Sequence, residues 1–369
     1  MFNRIKQPSN LAPDERKYWI AWSAIPGIGP GTFKLLNDYF QLMAKAWHCS
    51  IDQLSRLGLN KPTLKQINLI RPTFNPDDFL ERLAQLQIKT LLLPDNDYPE
   101  LLRQSPAPPS VLYLKGQLPA GPCLSVVGTR IPSNLGATIT DRLIKPLASQ
   151  GIIIISGLAL GIDAAAHQAT LDASGRTIAV FASGVDHIYP STNQYLAESI
   201  IEQGGGWLSE YPPQTQPLSY QFPLRNRIIA GLSAGTLVIE AGQKSGALIT
   251  ARYALEANRE VMAVPGSITN PQAMGTNYLI KEGAAVITDP QDVLNALQIT
   301  VHKPNSSFSR QALTDRERQI LQLFSSDPIH VDQVIEKSKI NSNQIIAMCT
   351  HLEVKGYLRN IGNSKYILN

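Results

Sequence analysis

The residues best suited to hold an anion follow short apolar runs. They are Gly128-Thr129-Arg130, Ser156-Gly157 with the turn on to Gly161-Ile162-Asp163, Ser183-Gly184-Val185-Asp186, Ser209-Glu210-Tyr211, Glu240 to Gly246, and Pro265-Gly266-Ser267. Glycine and serine at a helix start expose backbone N–H groups, and the helix dipole adds positive potential, so each turn is a candidate phosphate seat. Taken singly, a glycine after a strand simply makes a tight βα turn; six in register point to a shared site. A second feature is Phe222-Pro223-Leu224-Arg225-Asn226-Arg227, the densest positive charge in its region, with an aromatic in front. Arginine suits bidentate phosphate contact and phenylalanine suits stacking on a base, the two components of single-strand recognition. The competing reading is a surface helix whose arginines pair with Glu210 or Glu240.

Other chemistries are poorly supported. Gly128-Thr129-Arg130 is not a G-x-G-x-x-G fingerprint, and Gly242-Gln243-Lys244-Ser245 lacks the spacing of a P-loop, which disfavours a dinucleotide enzyme. Ser183 lacks the first glycine of a nucleophile elbow. Asp163 and His167 share a helical face but no third metal ligand is spaced nearby, so a capping aspartate and a polar contact for the histidine are the better reading. No metal or cofactor is expected.

These residues need strand ends to position them, and the chain supplies the strands. Apolar runs at 124–127, 152–155, 177–181, 206–208, 235–239, 260–264 and 285–287 alternate with helical stretches. Near-continuous β-branched runs predict strands covered on both faces, hence an α/β fold with a doubly wound, extended Rossmann-like parallel sheet. Ligands of such sheets sit at the strands' carboxyl ends, where the turns above fall. The N-terminal segment predicts two helix–hairpin–helix units, around Ile25 to Gly31 and, more weakly, Leu54 to Pro62, in a helical SAM-like domain. Residues 71–121 read as a bridge with apolar runs at 90–93 and 111–114. After a polar linker at 302–307, Thr314-Asp315-Arg316-Glu317 is a capping box opening three helices and a hairpin, a winged-helix plan. The expected domains are 1–75, 76–300 and 308–369.

The 369 residues carry a net charge of +4, with 43 % hydrophobic and 17 % charged residues, the composition of a globular protein. The excess lies in the flanks: residues 122–299 hold 10 Lys+Arg against 13 Asp+Glu. Bulk basicity is therefore not what would draw DNA to the middle segment. Three scattered cysteines, and an N-terminus without an apolar leader core, fit the cytoplasm and no membrane association.

The same stretches carry a family resemblance. Tyr98-Pro99, Val127-Gly128-Thr129-Arg130, Ser156-Gly157-Leu158-Ala159 with Gly161-Ile162-Asp163 and His167, Tyr189-Pro190, Phe222 to Ser233, Ser245 to Thr250, and Val264-Pro265-Gly266 with Gly275-Thr276-Asn277 run in order over 97–284. In this the chain resembles the DNA-processing protein A family, also called Smf or DprA. The resemblance implies a protein that binds and protects incoming single-stranded DNA in natural transformation, helps load the RecA recombinase, forms a homodimer through its α/β domain and catalyses nothing. It implies phosphate binding by Arg130, base contact by Phe222, and DNA contacts from Arg225, Asn226, Arg227, Ser245, Gly246 and Thr250 beside Gly128, Thr129, Ser156 and Gly157. Some relatives carry a lysine before the phenylalanine; here Leu218-Ser219-Tyr220-Gln221 precedes it, and Tyr220 is the candidate replacement by stacking. The alternative class is a nucleotide-processing hydrolase related to nucleoside-monophosphate phosphoribohydrolases, with Glu240 as its testable acid. Its glycine motif, however, is split between Pro265-Gly266 and Gly275-Thr276.

Overall fold

Each apolar run becomes a strand of one sheet. The computed structural model describes residues 11–299, 313–324, 329–338, 340–355, 357–360 and 364–368; the linker expected at 302–307 lies outside them. The strands are β1 (Lys89–Leu92), β2 (Val111–Gly116), β3 (Cys123–Val127), β4 (Ile153–Ser156), β5 (Thr177–Val180), β6 (Gly206–Ser209), β7 (Gly235–Val238), β8 (Glu260–Ala263) and β9 (Ala285–Val286). Their order is β1-β2-β6-β5-β4-β3-β7-β8-β9. From β6 to β9 every pairing is parallel, while β1 and β2 add antiparallel at the β6 edge.

The doubly wound sheet is as expected, but the two runs of the supposed bridge are its edge strands. Tyr113 pairs with Ser209 and Leu114 with Leu208, giving β2 a register that buries its residues 111–114. Runs of four apolar residues joined by a proline-rich turn look like a linker because the partner that makes them strands lies nearly a hundred residues away.

From β3 the chain steps one way through β4, β5 and β6, then returns to place β7 on the other side of β3. That reversal opens a crevice at the carboxyl ends of β3 and β7, the place where doubly wound sheets bind ligands.

One face packs the N-terminal helices. Trp19, Trp22, Phe33 and Trp47 share an apolar cluster with Leu92, Val111, Phe181 and Trp207 of the sheet. Helices Pro13–Ser23 and Pro30–Phe40, then Ile51–Arg56 and Lys61–Ile70, form the two helix–hairpin–helix shapes. In the first hairpin Gly27 takes φ +89°, with Thr63 packed where a Cβ would sit. Its cation Lys34 pairs with Asp38 at 2.5 Å, so this turn carries no unpaired charge toward a phosphate.

The chain divides into two compact units, Met1–Val301 and His302–Asn369. In the second, helices Asp315–Leu321, Val331–Ser338 and Ser342–Val354 surround Phe324, Val334, Ile345 and Leu352, with a three-stranded sheet of β10 (Ile329–His330), β11 (Leu358–Asn360) and β12 (Lys365–Leu368). The capping box forms: Thr314 Oγ1 accepts from the Glu317 amide. Glu317 also takes the ammonium of Lys355, the C-cap of helix Ser342–Val354, at 2.7 Å. No helix among the described residues is long and apolar enough to cross a membrane.

Candidate nucleic-acid interface

At the β3/β7 crevice lies an open cleft of about 840 Å³. Its wall draws on the ends of several parallel strands: Gly128, Thr129 and Arg130 after β3, Ala159 and Asp163 after β4, Tyr189 after β5, Phe222, Arg225 and Asn226 after β6, and Lys244, Ser245, Gly246 and Thr250 after β7. Nine of the twelve expected site residues therefore meet in one place. Gly157 lines a small adjoining recess with Arg130, Leu160, Tyr189 and Phe222. Ser156 and Arg227 line neither cleft.

Arg130 lines the cleft just after β3. Exposed, with no ion pair or hydrogen bond among the described residues, it lies 5.7 Å over the Phe222 ring. Tyr189 stands 5.4 Å from Phe222, making a two-ring wall that sequence reasoning quoted only as part of a motif. Lys244, also exposed, is a second cation that sequence reasoning missed; the signal was its place among glycine and serine just after the fifth apolar run. Tyr220 is exposed at the start of helix Gln221–Gly231 and does not line the cleft, so the expected stacking replacement is absent from this wall.

The arginine helix divides its charge. Arg225 is 4 % exposed and its Nη1 donates to the carbonyls of Gly157, at 2.8 Å, and Val180. It braces the ends of β4 and β5 rather than standing free for phosphate. Burial lowers its pKa to about 10, with Asp163 opposing that shift. Arg227 points away, forked onto the Glu210 carboxylate and the Ala107 carbonyl. The pairing reading is thus right for Arg227 and the cleft reading for Phe222 and Asn226, because a helix turns its residues by 100° each. Arg227→Ala is expected to leave the salt dependence of DNA binding unchanged while lowering stability by about 1 kcal/mol, checked by anisotropy titrations at several salt concentrations and by urea unfolding.

Two of the expected anion seats are filled from within. Asp163 is fully buried and accepts from the Gly157 amide at 3.2 Å, with the amides of Ala159 and Gly128 also favouring its charge. Burial still raises its pKa, against the pull of Arg225. Glu240 accepts from the Ser133 amide at 2.9 Å and the Ser133 hydroxyl at 2.6 Å, so its carboxylate occupies the N-terminus of helix Asn134–Ser149. Gly128 and Gly157 thus serve close packing: a Cβ on Gly128 would lie 2.6 Å from Ile162, and one on Gly157 2.5 Å from Arg225. Ser156, fully buried, donates to the Val126 carbonyl at 2.6 Å and ties β4 to β3.

His167 makes the polar contact expected of it, with Nδ1 2.7 Å from the Thr177 hydroxyl, which itself donates to the Ile154 carbonyl. Burial, then Arg225, lowers its pKa from 6.5 to about 3. The folded protein therefore holds this ring neutral while the unfolded chain protonates it below pH 6.5, so stability is complete above that pH and falls as the pH drops toward 3. The expected loss is about 2 kcal/mol between pH 7 and pH 5, visible as a lower urea midpoint. His167→Asn, which keeps a donor for Thr177, is expected to flatten that slope.

A mostly parallel, doubly wound sheet with a switch-point cleft lined by exposed cations and two tilted aromatic rings places the chain in the Rossmann-like fold class. The sequence matches the family model for DNA recombination-mediator protein A over residues 89–298 and that for the DprA winged helix domain over 304–361. It is 40 % identical to Protein Smf of Escherichia coli over 327 residues, covering 86 % of this chain and 87 % of that one, and 43 % identical to Protein Smf of Synechocystis over 294 residues, covering 78 % and 74 %. The chain belongs to the DNA recombination-mediator protein A family. Among solved structures it is similar to DNA processing protein A of Streptococcus pneumoniae, at TM-score 0.66 and 34 % identity over 76 % of this chain and 97 % of that one. It is also similar to DNA processing protein A of Helicobacter pylori, described for its single-stranded DNA binding mode, at TM-score 0.52 and 30 % identity over 57 % and 96 %.

Proposed function

We propose that this protein binds single-stranded DNA in the β3/β7 cleft, shields it, and helps load RecA on strands taken up in natural transformation. In this reading it works in the cytoplasm as a homodimer through its α/β domain and catalyses no reaction. The observation that carries the reading is the free Arg130 guanidinium set over Phe222 at the mouth of the cleft, a phosphate contact next to a base contact. Gly128, Thr129, Asn226, Ser245, Gly246 and Thr250 would shape the path of the strand, and Arg225, Gly157 and Ser156 would hold that path in place from behind. The segments 1–75 and 308–369 would serve as protein-contact modules, since the cation of the first hairpin turn, Lys34, is paired with Asp38 and Lys355, after helix Ser342–Val354, with Glu317. The hydrolase alternative is not favoured, because both Glu240 oxygens are engaged by Ser133.

With the full chain, a labelled oligothymidine is expected to bind at least tenfold more tightly than a duplex of equal length, because stacking on Phe222 requires an unpaired base. Anisotropy titration measures this; equal affinity for both would remove the base contact from the reading. Faster assembly of RecA on the bound strand, and a dimer mass in sedimentation, are the further expected results.

A further inference from the structure

Helix Asn134–Ser149 has Glu240 on its N-terminus, and the turn opening helix Ile162–Asp172 has Asp163. Helix Ala247–Glu256, the third of these, has no carboxylate on its start; its first amide donates to the Ser245 hydroxyl at 3.3 Å. Two local features make its start unlike the others. Thr250, one turn in, lines the cleft at 1 % exposure, and its hydroxyl has no hydrogen-bond partner. A buried hydroxyl left unpaired is destabilising, a deficit that a ligand oxygen would relieve. Lys244 stands exposed just before this helix, and Gly246 adds no side chain to block approach.

Across the cleft stand Phe222 and Tyr189. An anion seat facing an aromatic wall has the chemistry of a complete nucleotide. The cleft of about 840 Å³ also lies in the range of small-molecule clefts and cavities, roughly 300–1,000 Å³. Outside it, the surrounding segment is net acidic, so a strand gains its binding energy mainly within the cleft.

We propose that the cleft is a nucleotide site in its own right: a free nucleoside 5′-monophosphate binds there, its phosphate on Lys244, Gly246 and Thr250 and its base against Phe222 and Tyr189, and so competes with single-stranded DNA. This rests on the strand-binding reading and makes that binding sensitive to the nucleotide pool.

The test uses the full chain with labelled oligothymidine and three competitors: thymidine 5′-monophosphate, thymidine and inorganic phosphate. Thymidine monophosphate is expected to displace at least half of the strand at about 1 mM, while thymidine and phosphate at that concentration displace little. Thr250→Val, which keeps the shape and removes the hydroxyl, is expected to weaken the monophosphate about tenfold, read by direct calorimetric titration. Strand binding without displacement by the monophosphate overturns the nucleotide site and leaves the strand reading standing. Equal displacement by inorganic phosphate also overturns it, leaving a general anion seat. If the chain binds no oligothymidine, the strand reading fails, and calorimetry with the monophosphate alone decides the nucleotide site.

Discussion

Arg130→Ala is expected to weaken oligothymidine binding by about 2 kcal/mol, close to thirtyfold, the size of a charged hydrogen bond to phosphate. The same change should make the plot of log affinity against log salt shallower by about 0.7, the share of one phosphate contact on a single strand. The two effects belong together, since among the described residues the guanidinium has no ion pair or hydrogen bond whose loss would disturb the fold, only the Phe222 ring beneath it. Arg130→Lys separates them: net charge and salt slope are kept, but the flat fork lying on Phe222 is lost, so affinity should fall with the slope intact. Anisotropy titrations from low to high salt measure both, and full affinity in Arg130→Ala would remove this residue from the site.

Asp163→Ala is expected to cost about 1–3 kcal/mol of stability, because the buried Gly157 amide is left unmatched and the buried Arg225 charge loses a nearby opposite charge with which it makes no direct ion pair. Arg225 would remain buried, held by the Gly157 and Val180 carbonyls but facing no carboxylate. The amide of Gly157 would lose its acceptor as well. Removing both charges in Asp163→Ala/Arg225→Met should recover part of the loss, because the buried guanidinium that Asp163 offsets is gone as well. Urea unfolding followed by circular dichroism reads the difference. A single variant as stable as the parent would show that the two charges are not coupled in this way.

These two sites differ in how far local sequence foretells them. Arg130 follows an apolar strand and a glycine, and both the turn and its place at a strand's carboxyl end follow from that short stretch. The capping boxes at Ser50, Asp289 and Thr314 are equally local, since donor and acceptor stand three residues apart. Arg225 and Arg227 sit in the same dense cationic run, yet their partners are distant in the chain. Arg225 meets Gly157 at a separation of 68 residues and Arg227 meets Glu210 at 17. A charge pattern gives the sign of a segment but not which carboxylate or carbonyl the fold brings to each member.

The sequence by itself determined the run of parallel strands, the turns at their ends and the Gly-Thr-Arg and Phe-Pro-Leu-Arg-Asn-Arg stretches, because period and spacing are properties of neighbouring residues. Tertiary structure alone decided which anion seats stay open. The return of the chain from β6 to β7 sets Glu240 beside Ser133, 107 residues away, and the packing of β4 against β3 buries Asp163 beneath Gly128 and Gly157. Both carboxylates satisfy donors that would otherwise face the cleft. What remains for a ligand is Arg130, Lys244 and the unpaired Thr250 hydroxyl, a choice made by strand order.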